Sequence, residues 1–304
     1  EHLFAGIDII ADMLKNTKFD NEKFEKEKKV ILEEINMYHD NPRSHAFEMI
    51  ERNLFESPFG DLVIGSKETV SSLNRNFVAE FFKKMYYPEN YIVTIVGNGD
   101  FENICDYMEK NFKSEGKKFS ILKIKRKNSE SIEERDNLDQ AHLVFGVHAP
   151  LPTEKESYDM EVLDAYLANG MSSKLFLEIR EKRGLAYAVI SSIDGEKNYS
   201  LYTIYVGTTK EAVPEVKKLI LEGFDKVKEM NEKDLREAKE RVLGLKRVKS
   251  EEGSNVMNEL MFEELRGDAN EYYKYDEKIN NVKLDSVKKL TKDLIKEYST
   301  AAVV

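Results

Sequence analysis

Tryptophan is absent from this chain of 304 residues, cysteine occurs once, histidine five times and proline six times. The lone Cys105 excludes a disulfide framework within the chain and any zinc cluster built on thiolates. A reducing, cytoplasmic setting fits that usage. No apolar run approaches the roughly 18 to 20 residues of a membrane-spanning helix, so no membrane span is expected. The sequence opens on Glu1 rather than methionine, and no signal peptide is expected in it. Basic charge is in deficit, with 47 Lys and Arg against 57 Asp and Glu and a net charge of -10. Phosphate neutralisation needs a basic field, so nucleic acid is excluded as the main partner.

What is present supports folded cores. Hydrophobic residues make up 41% and charged residues 34%, the balance of a globular chain long enough for two domains. Leu3, Ile7, Ile10 and Leu14 already recur at helical spacing, with almost no room for a cap before them. The chain is therefore expected to open inside a domain.

Periodicity and turn residues predict helices at about 1–15, 20–40, 43–55, 75–87 and 101–113, with a strand at 91–97. Asp20 and Asn76 are the expected helix N-caps. Residues 114–137 are rich in Lys, Ser and Glu, with few large apolar residues beyond Phe119 to Ile124, and read as an exposed linker with one short strand. A second half follows with strands at 141–148, 185–193 and 199–207. Its helices fall at about 155–168, 172–183, 209–229, 232–250, 254–267 and 284–297, and Thr300–Val304 has a strand's composition. The expected division is a first domain over 1–115, a linker over 116–137 and a second domain over 138–304.

The halves echo each other. Val70, Leu73, Asn76, Val78, Phe81 and Met85 match Ile279, Val282, Asp285, Val287, Leu290 and Leu294 at a constant offset of 209. Asn21-Glu22-Lys23 recurs as Asn231-Glu232-Lys233, each opening a long charged helix. A period near 210 residues is far beyond the roughly 20 to 50 of solenoids, and points to a duplicated α+β domain. By this count the first half is expected to lack about 70 residues or more that the second half possesses, its leading strands included.

Glu27 and Glu34 stand seven residues apart on a strongly helical segment and share one face. Two readings are open. The pair is a solvated charge stripe of the kind made by Glu25/Lys28, or it belongs to a metal site. Val30, Ile31 and Leu32 beside Glu34 favour the second, because they would hold Glu34 partly buried, and a buried carboxylate needs a cation.

Glu27-Lys-Lys-Val-Ile-Leu-Glu-Glu34-Ile-Asn-Met resembles the signature of the M16 metallopeptidases, the group of pitrilysin, insulin-degrading and mitochondrial processing enzymes. Pro58-Phe59-Gly60, Ile64 to Val70, and Tyr87-Pro88-Glu89-Asn90 are similar to that family as well. So are Asn169-Gly170-Met171-Ser172-Ser173-Lys174-Leu175-Phe176 and Ile179-Arg180-Glu181-Lys182-Arg183-Gly184-Leu185-Ala186-Tyr187. The resemblance covers essentially the whole chain and implies two homologous α/β-sandwich domains, the first incomplete here.

The resemblance also implies chemistry: a zinc-dependent endopeptidase acting on peptides or unfolded polypeptides. Zinc is held by two histidines of a His-x-x-Glu-His helix and by a glutamate that Glu34 matches, while Glu27 matches a supporting carboxylate. Two His and one Glu leave a zinc position open for water, and the His-x-x-Glu-His glutamate acts on that water as base. Arg180 and Tyr187 match a substrate-anchoring pair, suited to hold a peptide carbonyl and its developing oxyanion. Read from residue type alone, Arg180 is a helix C-terminal cation and Tyr187 a core aromatic. Asn169-Gly170 stands where the family has a more glycine-rich substrate loop.

This chain contains no His-x-x-Glu-His. His39 and His45, separated by Pro42, share no helical face and are expected at the surface; His142 and His148 lie on one strand face. At most one ligand of the family's set is present, so the chain itself is expected to hold no stoichiometric zinc. An apolar face is expected to stand open in the first half, covered by a missing N-terminal fragment or a dimer partner. Retention of both Glu34 and the Arg180/Tyr187 pair implies a homodimer. The alternative is a non-catalytic M16-like subunit that binds peptide or completes a partner's site.

Overall fold

The computed structural model describes residues 2–113 and 122–304. The helices are α1 (Leu3–Lys15), α2 (Asn21–Asp40), α3 (Pro42–Leu54), α4 (Lys67–Ser72), α5 (Arg75–Met85), α6 (Phe101–Asn111), α7 (Glu156–Leu167), α8 (Val213–Lys226), α9 (Glu232–Lys249), α10 (Gly253–Arg266), α11 (Tyr275–Asn281) and α12 (Leu284–Leu294). The strands are β1 (Glu130–Glu133), β2 (Ala141–His148), β3 (Ala186–Gly195), β4 (Ser200–Thr208) and β5 (Ser299–Val303). No helix among the described residues is long and apolar enough to cross a membrane. Two compact units emerge, Glu1–Met37 with Val63–Leu122, and Tyr38–Leu62 with Lys123–Val304.

The second unit holds one five-stranded sheet in the order β1-β5-β2-β4-β3. β1 runs parallel to β5, and the other pairs are antiparallel. Side chains alternate between the two faces of a strand, and here both faces are apolar. Leu143, Phe145 and Val147 of β2, with Tyr202, Ile204 and Val206 of β4, face a core shared with α7, α8, α9 and α12. Val144, Leu201, Tyr205, Ala301 and Val303 face a second core with Ala46, Met49, Ile50 and Leu54 of α3. Covered on both sides, β2 and β5 read as nearly continuous apolar runs.

Asn41 caps α3, its side chain accepting from the Ser44 amide at 3.0 Å, and Pro42 fills the first helical position. The C-terminal end of α3 is fixed by the buried Asn53. Its Nδ2 donates to Ser131 Oγ at 2.7 Å and to the Thr300 carbonyl at 2.9 Å. At Gly146 the helix comes so near the sheet that an added Cβ would stand 2.9 Å from Ile50 Cγ1 and from Leu54 Cδ1.

In the first unit, Phe4 of α1 meets Tyr107 of α6 with ring centroids 4.7 Å apart, and Phe19 meets Phe82 of α5 at 5.2 Å. Lys28 of α2 donates to the carbonyls of Ser71 and Leu73 at 3.0 Å each. Ile9, Ile10, Met13, Phe77, Phe81 and Phe101, on α1, α5 and α6, are exposed.

Several expectations change. Tyr91–Val96 forms no strand among the described residues: it has strand composition and no ladder partner, and a strand exists only by pairing. Asn74, not Asn76, caps α5, accepting from the Phe77 amide at 2.9 Å. The helix expected over 172–183 is a π-helical segment, Phe176–Lys182. α4, α11 and a 3-10 helix over Ala269–Lys274 carry too few turns to show a period. Of the expected linker, 122–129 is irregular, with one bridge from Arg126 to Phe55, and 130–133 forms β1. The short strand expected within 114–137 is β1 among the described residues, and Phe119–Ile124 falls largely outside them.

Gly146→Val keeps strand propensity but forces a side chain into Ile50 and Leu54. It should lower stability by about 1–3 kcal/mol, read as a reduced urea midpoint with unchanged slope. An unchanged midpoint would show that α3 does not rest on Gly146.

Candidate functional site

The π-helical segment and the strand after it carry Arg180 and Tyr187. A residue inserted between ladder pairs re-aims its side chain, and the β3–β4 register shifts between Ala186 and Ala188, at Tyr187. The phenol points to solvent, 80% exposed, where residue type alone suggests a core aromatic. Arg180 joins it: its guanidinium lies 5.1 Å from the Tyr187 ring centroid and 4.9 Å from that of Phe176. Its Nε stands 3.7 Å from the Glu181 carboxylate. The geometry brings the pair together as a cation over a ring, with the phenol hydroxyl and guanidinium N–H groups open to a ligand.

Asn169 and Gly170 follow α7 in a loop that is tied down. Gly170 adopts a φ of 83°, a conformation that glycine takes without strain. The Asn169 side chain donates to Asp164 at 3.0 Å. Arg241 of α9 donates through Nη1 to the carbonyls of Ala165 and Asn169, 2.8 Å each, and through Nη2 to Ser172 Oγ. Asp164 is buried and accepts also from Tyr202 at 2.9 Å and from Ser191; burial pushes its carboxyl up from the ordinary value. Beside this loop lies a cavity of about 440 Å³ whose wall includes Asp164, Ser191, Glu161, Lys246, Arg266 and Tyr275. Burial pushes Glu161 up to about 6, and it accepts from the Tyr275 hydroxyl. Asp164 and Arg241 escaped the sequence reading because their clamp joins segments far apart in the chain.

Glu27 and Glu34 lie on α2, both exposed. The partial burial expected for Glu34 is not found: Val30 beside it is also exposed, while Ile35 is the buried residue of that helix. Neither carboxylate has an ion pair or hydrogen bond among the described residues.

The histidines depart further from expectation. α2 ends at Asp40 and α3 begins at Pro42, so the chain turns at Asn41 and brings His39 and His45 together, ring centroids 4.9 Å apart and planes tilted by 59°. His45 is buried rather than at the surface. A separation argued along one continuous helix does not apply across a helix break. His142 Nδ1 lies 2.9 Å from the Tyr205 hydroxyl, and His148 Nε2 lies 3.4 Å from the Lys127 carbonyl.

The sequence matches the family descriptions Insulinase (Peptidase family M16) over residues 1–66 and Peptidase M16 inactive domain over residues 72–242. A Bacillus subtilis protein named as an uncharacterized zinc protease is 28% identical over 315 residues, taking in 100% of this chain and 76% of the relative. A Rickettsia bellii protein named in the same way is 33% identical over 245 residues, covering 79% of this chain and 58% of its own length. The crystal structure of a protease from Helicobacter pylori shares the fold, with a TM-score of 0.90 at 17% identity over 99% of this chain and 76% of that one. The chain belongs to the M16 peptidase family.

Arg241→Ala should release the loop after α7. Loss of its hydrogen bonds costs on the order of 1–3 kcal/mol locally, so amide exchange at 170–173 should quicken by at least about ten-fold in hydrogen-exchange mass spectrometry. Arg241→Lys should restore little, since one ammonium does not span three acceptors. Unchanged exchange in Arg241→Ala would refute the clamp.

Proposed function

We propose that this chain is part of an M16 zinc-dependent metalloendopeptidase acting on peptides or unfolded polypeptides. The observation that carries the reading is Tyr187, lifted out of β3 at a register shift and exposed beneath the Arg180 guanidinium. A strand aromatic turned away from the core and paired with a cation serves packing poorly and serves ligand contact well.

In this reading Arg180 and Tyr187 hold a substrate carbonyl, and Asn169 and Gly170 border the bound peptide. Glu34 fits a zinc ligand: its carboxylate is exposed and unclaimed, a donor type that zinc accepts. Glu27, two turns earlier on the same helix, supports it. The remaining ligands, two histidines, and the general base belong to residues beyond this sequence, which has no His-x-x-Glu-His. Zinc, when bound, supplies Lewis-acid activation of water for attack on a peptide bond. A homodimer and a cytoplasmic setting belong to the same reading; the exposed apolar residues of the first unit and the lone free Cys105 suit them.

The test is cleavage of an unstructured peptide by a preparation in which a His-x-x-Glu-His segment precedes Glu1. Cleavage should require zinc. Tyr187→Phe should lower kcat/KM by about 10²-fold with the fold intact, and Glu34→Gln should abolish zinc-dependent turnover. Turnover that survives Glu34→Gln would overturn the assignment of that residue. Peptide binding without any cleavage would favour a non-catalytic subunit.

A further inference from the structure

His39 at the end of α2, His45 in the first turns of α3 and Glu133 at the end of β1 come together although 39 and 133 are far apart in the chain. One ring nitrogen of each histidine and one oxygen of Glu133 all lie within 4.8 Å of one another. We infer that these three residues bind a divalent transition-metal ion of the zinc or cobalt class.

The donor set selects the ion. Two imidazoles and a carboxylate suit zinc and its neighbours, whereas magnesium and calcium take oxygen ligands. The central ligand is already built. His45 is only 5% exposed, and its Nδ1 lies 3.2 Å from Glu48 Oε2 while its Nε2 lies 2.9 Å from Glu133 Oε2. A carboxylate on one ring nitrogen, with the other turned to the metal, is how ligating histidines are oriented and made more basic. His39 is exposed, and its ring can turn toward the metal by giving up its 3.5 Å approach to Arg135 Nη2. Donor atoms around a tetrahedral zinc stand about 3.3 Å apart, and that rotation closes the gap.

Charge favours a dication. Asp40, Glu48 and Glu133 surround the two histidines, and one guanidinium, Arg135, opposes them. Arg135 Nε donates to Glu133 Oε1 at 2.6 Å, Nη1 donates to the His39 carbonyl at 2.6 Å, and Nη2 lies 3.5 Å from His39 Nε2. The carboxylates outnumber the guanidinium three to one, so the surroundings of the two rings are net negative. Arg135 claims Oε1 of Glu133 and leaves Oε2 to the metal. The ion pins the end of α2 and the start of α3 to the edge strand β1, and its role is to hold these segments together.

The test is titration of the untagged 304-residue chain with Zn²⁺ by calorimetry and with Co²⁺ by visible absorption. One equivalent should bind, the cobalt bands should report nitrogen ligation, and the melting temperature should rise with metal. His39→Ala, at an exposed position, should weaken binding by at least about ten-fold without loss of fold, and Glu133→Gln should do the same. Glu34→Gln should leave binding unchanged. Absence of a bound equivalent at micromolar protein, or His39→Ala binding as tightly as the parent, overturns the site. So does loss of binding in Glu34→Gln alone.

Discussion

The seating of α3 on the sheet is the contact on which the second unit depends. Ile50 and Leu54 rest where Gly146 offers no side chain, and each buried aliphatic contributes about 1.5–3 kcal/mol. Asn53 makes the seat specific. It is buried, so its amide must find partners, and it finds them on Ser131 and on the Thr300 carbonyl beside β1 and β5. One polar side chain thus fixes the helix against the edge of the sheet. With α3 in place the sheet is apolar on both faces, and β1 follows into the register that carries Glu133 to the turn at Asn41.

The opposite edge of the sheet is built for exposure. β3 has a neighbour on one side only, and its register shift at Tyr187 interrupts pairing just after the π-helical segment. π-Helical turns and bulges both place side chains where regular structure would not. Packing on the inner side is undisturbed, since Ile179, Ala186 and Val189 stay buried. Arg241 and Asp164 then hold the loop after α7 from beneath, a rigid support under a segment that reaches solvent.

Much of this was legible in the sequence because it is local or repeated. The offset of 209 carries Arg75 onto Leu284 and Met85 onto Leu294, the bounds of α5 and α12. The same offset also shows where sequence stops deciding. β5 becomes a strand between β1 and β2, while Tyr91–Val96, of matching character, has no such neighbours among the described residues. The motif Ile179 to Tyr187 pointed to Arg180 and Tyr187, but residue type could not tell a core phenol from an exposed one, because a register shift is a property of two strands. His39, His45 and Glu133 were illegible as a group: two are separated by a helix break whose angle the sequence does not specify, and the third arrives through sheet register.

Tyr91 to Val96 is a run of six residues without charge, proline or glycine, with Ile92, Val93, Ile95 and Val96 exposed. Such a segment, rich in β-branched residues and without a ladder partner among the described residues, is the kind of template on which identical chains stack edge to edge. Edge pairing of that kind competes with solubility rather than with folding free energy. It weakens when a charged residue interrupts the run.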